Sequence, residues 1–337
     1  LRCYGSSGAP GVVARRCSIK QRGRGAILCR RKHARAQARR VFALRLKTDY
    51  HCAGHVGETA NSAPPGRDVM NRPGWKGAAI LMMLASGAML GVAGCAPDSA
   101  NSELAAVVDE YAERAAQAVA HPARFNEDRA DDALRKPVNV LAFIAPEPGD
   151  HIFEMEGGVG YYTELLSYMV GPDGVVVMHN PAHFDSFVKD DVSRRVEGRL
   201  ANVRLTKSRF DDLDAADGSV DIVTWILGPH DLYYTPGGES LGDDKQAFAE
   251  IMRILKPGGV FIVLDHVAAP GSAEVTGGVI HRIDPAIIRQ LADEAGFVMI
   301  GESDILRNED DDYFVNVFDP KVRRKTDRIL YKYQKPE

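Results

Sequence analysis

The sequence predicts an α/β fold, in which a doubly wound, mostly parallel sheet is covered by helices on both faces. Strand-type and helix-type segments alternate from residue 151 onward, which is typical of parallel strands joined by helical crossovers. The stretch HIFEMEGGVGYYTELL, residues 151–166, combines a short apolar strand, a glycine turn and the start of a helix. The composition, 45% hydrophobic and 26% charged over 337 residues, is that of a globular protein with a substantial core.

Hydrophobic periodicity and helix-end signals define the individual elements. Apolar residues at helical spacing predict an amphipathic helix over residues 103–121, with Ser102 as its N-cap. Pro257 ends a later helix, and the two glycines after it turn the chain into the next strand. Asp284 is the predicted N-cap of another helix, with Pro285 in the first helical position. Strands are predicted over residues 151–155, 174–179, 203–207, 220–227, 260–265, 297–303 and 328–333, and the other helices over residues 138–144, 161–170, 184–199, 244–255 and 285–295.

Charge is divided unevenly along the chain. Residues 1–69 hold 15 Lys and Arg against three acidic residues, whereas the rest of the chain carries a net charge of −16. The Arg-rich run CRRKHARAQARR is typical of a nucleic-acid-binding arm. However, the segment has no sustained apolar period and begins with Leu rather than Met. We therefore expect a basic leader that precedes the native start at Met70 or is disordered, and no nucleic-acid partner.

Residues 70–94 have the anatomy of a secretory signal. Arg72 and Lys76 precede an uncharged apolar run of 16 residues, which is shorter than the roughly 20 needed to span a bilayer. The run ends in Val-Ala-Gly-Cys, which resembles the lipobox of bacterial lipoproteins and implies that Cys95 is lipidated. The alternative is a buried core helix that ends in a small apolar side chain at Cys95.

The lipobox resemblance implies an exported protein that is bound to a membrane through Cys95. Two or more acyl chains give stable attachment where a single chain does not. We expect the periplasmic face of a bacterial membrane, and Ala96 favours the outer membrane. Residues 95–102 are then a tether, and residues 103–337 form the α/β domain with its N-terminal helices.

The glycine turn has a partner about 100 residues further along the chain. Leu255-Lys256-Pro257-Gly258-Gly259 precedes a strand, and the strand-type segment GSVDIVTWIL lies between the two motifs. With these motifs, residues 138–335 resemble class I S-adenosylmethionine-dependent methyltransferases. The segments EMEGGVGYYTELL, LDHVA, HRIDPAIIR, EAGFVMIGESDILRN and TDRILYKYQKP are similar to an exported bacterial family of predicted methyltransferases. The resemblance implies a Rossmann-like, seven-stranded sheet and S-adenosyl-L-methionine as the cofactor.

The resemblance also implies cofactor-binding residues around the glycine turn. Glu154 takes the acidic position that ends the first strand, and Gly157 belongs to the turn. Gly158 and Gly160 face the methionine part of the cofactor. The alternative for all four residues is a tight strand-to-helix connection that binds no nucleotide.

Three further cofactor-binding positions depart from the family pattern or are less well aligned with it. Glu156 stands where the first glycine is usual, and its carboxylate either clashes with the cofactor carboxylate or captures the cofactor ammonium group. Asn180 stands where an acid accepts both ribose hydroxyls, although an amide can still accept one hydrogen bond and donate one. Asp211, or its neighbour Asp212, is the candidate contact for the adenine amino group.

Candidates for catalysis lie where the fourth and fifth strands end, because ligands bind at the carboxyl ends of parallel strands. His230 or His266 could take a proton from the methyl acceptor, and Asp231 could orient a donor. Tyr234, or Tyr233 beside it, could stack against the acceptor. The alternative for each histidine is a hydrogen-bonded residue in a loop or at a strand end.

Other polar residues are candidates for lining the same cleft. His281 and Arg282 could enter it from the side, with Arg282 binding a carboxylate or phosphate of the substrate. The acidic run Glu309–Asp312 is expected to be a solvated loop. Several histidines and aspartates are of the types that a metal site needs, but their spacing matches no compact ligand motif, so no metal site is predicted. These residues are Asp265, His266, His230, Asp231 and His281.

The sequence therefore predicts an S-adenosylmethionine-dependent methyltransferase that acts on a small molecule or a lipid-borne acceptor. The alternative is a ligand-binding lipoprotein that retains the fold without catalysis. Metal-dependent hydrolysis in the same cleft is a third interpretation.

Overall fold

The computed structural model of the chain describes residues 99–337, with side chains from residue 109 onward except that of Lys189. The predicted leader, signal peptide and Cys95 lie outside these residues. Within them, a seven-stranded sheet carries helices on both faces, which confirms the predicted fold.

The observed elements follow the predicted order closely. The strands are β1 His151–Met155, β2 Val175–His179, β3 Val203–Thr206, β4 Val220–Ile226, β5 Leu255–His266, β6 Val298–Glu302 and β7 Arg328–Gln334. The helices are α1 Ser99–Ala120, α2 Asn126–Arg129, α3 Asp132–Arg135, α4 Pro137–Ile144, α5 Tyr161–Val170, α6 Asp185–Val196, α7 Asp244–Ile254, α8 Thr276–Ile280 and α9 Pro285–Glu294, with short 3₁₀ turns at Ala182–Phe184, Pro229–Tyr233 and Pro236–Gly238.

The strand order of the sheet is β3-β2-β1-β4-β5-β7-β6. The first five strands are parallel, and β7 runs antiparallel to both β5 and β6. The chain winds outward from β1 to β3 and then returns to place β4 on the other side of β1. The crevice outside the carboxyl ends of β1 and β4 is thus a topological switch point, where open α/β sheets bind ligands.

The sheet is buried on both faces because neighbouring residues of its central strands belong to different cores. Ile152 and Ile222 pack into one core with α4 and α5. Phe153 and Trp225 pack into the other core with α7 and α9. Burial on both faces explains why the central strands are almost continuously apolar in sequence.

Two predicted boundaries were wrong. Helix α1 begins at Ser99, so Ser102 lies inside the helix rather than at its N-cap, and residues 99–102 are helical rather than part of a tether. The predicted turn at Pro257 belongs to β5, since Leu255 pairs with Val220 while Val260 pairs with Ile222. The residues between Leu255 and Val260 form a bulge in the strand. The capping prediction for α9 is confirmed, because Asp284 Oδ1 accepts a hydrogen bond from the backbone N–H of Ala286.

Across residues 99–337, none of the helices combines the length and the apolar character that crossing a membrane requires.

Candidate active site

The predicted catalytic residues and Glu156 meet at the carboxyl edge of the parallel strands, around a cavity of about 580 Å³. The polar lining includes the side chains of Glu156, His230, Asp231, Tyr234, His266 and His281. The apolar lining consists of Val159, Phe184, Phe187, Leu227, Val317 and Phe318. A cavity with an apolar wall and a few convergent polar groups has the character of a small-molecule site.

The glycine turn after β1 is held tightly against the protein at two of its glycines. A Cβ atom added to Gly157 would lie 2.9 Å from Met178 Cγ, and one added to Gly160 would lie 2.5 Å from Arg195 Cδ. Gly160 also has a φ of 86°, which favours glycine. Both glycines are therefore required by packing, and the cofactor contact of Gly160 stays a prediction.

Gly158 is the open glycine of the turn. Its φ is 58°, and no atom lies within 4 Å of an added Cβ, so a ligand can approach its backbone. The side chain of Asn180 binds both backbone polar groups of Gly158. Asn180 Oδ1 accepts from Gly158 N at 2.9 Å, and Asn180 Nδ2 donates to Gly158 O at 3.0 Å. Asn180 thus fixes the turn, and its amide retains one lone pair and one N–H, so the ribose contact stays a prediction.

Glu154 is buried inside β1 and accepts a hydrogen bond from Thr163 Oγ1 on α5. Burial raises the pKa of Glu154 to about 7, even though the Thr163 hydrogen bond and the charge of Arg195 favour the carboxylate. The side chain ties the first strand to the helix after the turn and does not line the cavity. Glu154 therefore has the role given above as the alternative, that of a residue in a tight strand-to-helix connection.

Glu156 reaches from the turn across to the end of β4. Its backbone has a φ of 53°, a conformation that costs a residue with a Cβ atom about 1–2 kcal/mol. Its Oε2 accepts a hydrogen bond from Trp225 Nε1 at 3.1 Å, and a Cβ added to Gly228 would lie 2.2 Å from the same oxygen. Burial and the adjacent Asp231 carboxylate raise the pKa of Glu156 well above its ordinary value. The lack of a side chain at Gly228 therefore makes room for a neutral carboxyl group beside the cavity.

Asp211 is outside the cavity lining. It forms an ion pair with Arg209 at 2.9 Å, and it accepts a hydrogen bond from the backbone N–H of Asp243. These two contacts hold the start of α7 against the loop after β3. The structure gives Asp211 this bracing role in place of the predicted adenine contact.

His230 is oriented by a buried carboxylate. Its Nδ1 lies 2.7 Å from Asp265 Oδ1, and its backbone N–H donates to Asp265 Oδ2 at 2.8 Å. Its Nε2 lies 3.4 Å from Asp231 Oδ1. Burial alone would lower the pKa of His230, but the carboxylates of Asp265 and Asp231 raise it to about 9.

Asp231 joins two histidines that are distant in sequence. Its Oδ1 lies 3.1 Å from Nδ1 of His281, which follows α8. Burial favours the neutral carboxyl, yet His230 and the hydrogen bond with His281 lower the pKa of Asp231. In residues 99–337, His230, Asp231 and His281 form a group whose ligand atoms lie within 4.8 Å of one another. The sequence predicted no such group because its members lie on two separate segments.

His266 and Tyr234 are further polar residues of the lining. His266 Nδ1 lies 2.6 Å from Thr326 Oγ1, and burial together with nearby cationic groups lowers the pKa of His266 well below its ordinary value. The ring of Tyr234 lies 5.5 Å from that of His281. Tyr233 instead donates a hydrogen bond to Asp244 at 2.8 Å, so Tyr234 is the tyrosine available to a ligand.

Arg282 does not reach the cleft. Its side chain is fully buried, and it forms a two-point ion pair with Asp311 at 2.6 and 3.0 Å. The prediction of a substrate-binding arginine is therefore wrong. The acidic run Glu309–Asp312 is correspondingly more than a solvated loop, because Asp311 is buried against Arg282.

Sequence reasoning missed the residues that the segment between β6 and β7 contributes to the cavity. Val317, Phe318 and Arg323 come from this segment, and the Phe318 ring lies 4.9 Å from that of His281. The segment contains no helix or long strand whose periodicity could have been recognised. The aromatic and basic residues in it were the available signal.

Comparison with known proteins shows that part of the chain is similar to methyltransferases. Residues 155–263 match the family model described as a methyltransferase domain. The chain is 27% identical over 196 residues to the ubiquinone/menaquinone biosynthesis C-methyltransferase UbiE of Legionella pneumophila (strain Paris), covering 55% of this chain and 74% of the relative. It is 31% identical to the UbiE of Hydrogenovibrio crunogenus over 160 residues, covering 46% of this chain and 59% of the relative. A solved S-adenosylmethionine-dependent methyltransferase from Aquifex aeolicus is 16% identical, with a TM-score of 0.42, covering 63% of this chain and 100% of that protein.

Residues 155–263 are thus similar to methyltransferase domains, and the comparisons support S-adenosyl-L-methionine as the cofactor. The residues present fit this group at the glycine turn. Gly158 is open there, and its neighbours Glu156 and Val159 line the cavity. Asp211 is engaged elsewhere, so the turn and the cavity wall provide the fit.

Proposed function

We propose that this protein transfers the methyl group of S-adenosylmethionine to a small-molecule or lipid-borne acceptor held in the cavity beside Gly158. The observation that carries the proposal is that one cavity is lined both by the glycine turn, through Glu156 and Val159, and by the histidines that follow β4 and β5. Donor and acceptor would therefore meet at the topological switch point of the sheet.

The residues of the chain have distinct roles in this proposal. S-adenosylmethionine supplies an electrophilic methyl group when it is bound. The apolar side chains of the wall exclude water and position the acceptor. His266 accepts the proton that the acceptor loses, because its lowered pKa keeps the imidazole neutral at physiological pH. Thr326 fixes the ring by its contact with Nδ1.

The cavity wall favours an acceptor with an apolar or aromatic body. Phe184, Phe187 and Phe318 provide flat apolar surfaces, and Tyr234 provides an additional ring. The relatives named as C-methyltransferases of ubiquinone and menaquinone biosynthesis make intermediates of those two products the first acceptors to test.

The test of the proposed reaction is methyl transfer from S-adenosylmethionine carrying a labelled methyl group. The purified chain is incubated with a bacterial lipid extract, and label in the organic phase is counted. We expect His266→Gln to lower the rate by about 10²–10⁴-fold, as loss of a general base does, and His183→Gln on the exposed surface to leave it unchanged. A rate that is equal in the wild type and in His266→Gln would contradict the assigned role.

We also propose that the protein is exported and anchored in the membrane through Cys95, on the periplasmic side. The basic start, the apolar run of 16 residues and the Val-Ala-Gly-Cys box in the correct order support this proposal. The test is labelling with palmitate in bacterial cells. Label is expected in the wild type and in Cys52→Ser, and it is expected to be lost in Cys95→Ser. An unlabelled wild-type chain would refute the anchor.

A second candidate function is ligand binding without catalysis. The engagement of Asn180 by Gly158 favours it, since the amide at the usual ribose-binding position already makes two hydrogen bonds to the turn and keeps less capacity for a ribose. Tight ligand binding without turnover on any acceptor would support this alternative.

A further inference from the structure

We propose that His230, Asp231 and His281 bind a divalent transition-metal ion of the Zn²⁺ class at the wall of the cavity. The inference does not depend on methyl transfer, because it rests on the geometry of these three side chains alone. Two imidazole nitrogens and one carboxylate oxygen form a ligand set that suits Zn²⁺, Fe²⁺ or Co²⁺ better than Mg²⁺ or Ca²⁺.

The distances between the ligand atoms fit a metal ion. Asp231 Oδ1 lies 3.1 Å from His281 Nδ1 and 3.4 Å from His230 Nε2. Ligand atoms that lie about 2.0–2.1 Å from a tetrahedral ion are separated by about 3.3 Å from each other. Two of the three separations thus match a tetrahedral ion as they stand, and the third, between the two histidine nitrogens, lies within 4.8 Å.

The carboxylate of Asp265 already orients His230. Asp265 is fully buried, and its carboxylate contacts both Nδ1 and the backbone N–H of His230. Metal-bound histidines usually have the nitrogen opposite the metal held by a carboxylate in this way. The arrangement directs Nε2 of His230 toward Asp231.

The backbone is shaped to bring the third ligand into place. A Cβ added to Gly277 would lie 2.3 Å from His230 O, and one added to Gly278 would lie 2.2 Å from Tyr233 O. The glycine pair lets α8 lie directly on the 3₁₀ turn that carries His230. His281 then follows α8 with a φ of 56°, which is a strained conformation for a residue with a side chain.

The position of the site leaves room for a further ligand. All three side chains line the cavity of about 580 Å³, so an ion bound to them would face a molecule held there. Catalytic zinc sites have three protein ligands and one open position, whereas structural sites are closed by four. An acceptor bearing an oxygen atom is the class of ligand that the open position would take.

The test is Co²⁺ binding to the purified full-length chain, followed by visible absorption and equilibrium dialysis in the absence of S-adenosylmethionine. The cysteines lie outside the described domain and would bind metal themselves, so each is replaced by Ser. These residues are Cys3, Cys17, Cys29, Cys52 and Cys95.

We expect one equivalent of Co²⁺ in this cysteine-free chain. Binding should be lost in His281→Ala and in the isosteric Asp231→Asn, and it should be retained in His183→Ala, which removes an exposed histidine. Asp265→Asn should weaken binding by about 10–100-fold. Thermal unfolding of each variant without metal confirms that it is folded.

The proposal is overturned if the cysteine-free chain binds no Co²⁺, or if folded His281→Ala and Asp231→Asn variants still bind one equivalent. Because the measurement contains no methyl donor, its failure leaves the proposed methyl transfer intact. A chain that binds Co²⁺ but not S-adenosylmethionine would contradict only the proposed function.

Discussion

The amide side chain of Asn180 binds both backbone polar groups of Gly158, with contacts of 2.9 and 3.0 Å. This pair links the end of β2 to the turn after β1, and it holds the open glycine of the turn in its left-handed conformation. The conformation of the candidate cofactor loop thus depends on a residue 22 positions away.

Replacement of Asn180 should weaken the fold and the turn together. Asn180→Ala leaves the N–H and C=O groups of Gly158 without their side-chain partner. We expect a loss of about 1–3 kcal/mol in the free energy of unfolding, measured with urea. Asn139→Ala, at an exposed asparagine in α4, is the control and should change stability little. Equal stability of the two variants would show that the Asn180 contacts do not hold the turn.

Gly149 and Gly160 provide a matched pair for the packing argument. Both have a φ of 86°, but an added Cβ meets no atom within 4 Å at Gly149, whereas it lies 2.5 Å from Arg195 Cδ at Gly160. Both alanine variants should lose about 1–2 kcal/mol from backbone strain. Gly160→Ala should lose about 1–3 kcal/mol more, because Arg195 is held in buried ion pairs with Asp128 and Glu164. Equal losses in urea unfolding would contradict the role of Arg195 in selecting glycine.

His179 should make the stability of the protein depend on pH. Burial lowers the pKa of His179 to about 4, while its Nε2 lies 2.7 Å from Ser208 O. Between pH 4 and 6.5 the unfolded chain binds the proton and the folded chain does not, so this residue makes stability fall as the pH decreases. The loss of unfolding free energy that His179 causes reaches about 3 kcal/mol at pH 4 and vanishes above pH 6.5.

The variant His179→Gln removes this ionisation. The difference in free energy of unfolding between the wild type and the variant, measured at pH 7.5, 6, 5 and 4, should shift in favour of the variant as the pH falls. A difference that stays constant over this range would show that the folded and unfolded states hold the His179 proton equally well.

Arg282 should affect stability rather than substrate affinity. Because it forms a fully buried ion pair with Asp311, Arg282→Ala leaves a buried carboxylate without its partner. We expect a loss of about 3–5 kcal/mol in unfolding free energy. Arg289→Ala removes a half-buried ion pair with Glu302 and should cost less. An Arg282→Ala variant that keeps its stability but loses affinity for an acceptor would restore the role predicted from sequence.

The fold could be predicted from local patterns because each strand and helix carries its own periodicity. The same patterns placed His230, Asp231, His266 and Tyr234 near one another, since the carboxyl ends of parallel strands meet at one edge. His281 was expected to enter the cleft from the side, and it does.

The orientation of individual side chains could not be predicted, because it depends on partners that are distant in sequence. Arg282 turns toward Asp311, and Asp211 turns toward Arg209. The grouping of His230, Asp231 and His281 could not be predicted for the same reason. His281 contacts Asp231 only because the glycine pair of α8 lets two distant segments pack together.

The most direct test of the account is the binding of S-adenosylmethionine and S-adenosylhomocysteine to the purified chain, measured by titration calorimetry. The central claim is that a cofactor lies against Gly158 and the cavity beside it. The matched variants are Gly158→Ala and Gly149→Ala, since both glycines have a positive φ and open space around an added Cβ, but only Gly158 lies in the turn. We predict stoichiometric binding by the wild type and by Gly149→Ala, and at least about tenfold weaker binding by Gly158→Ala, which corresponds to about 1.4 kcal/mol. No binding of either compound to the folded wild-type chain at millimolar concentration would contradict the account.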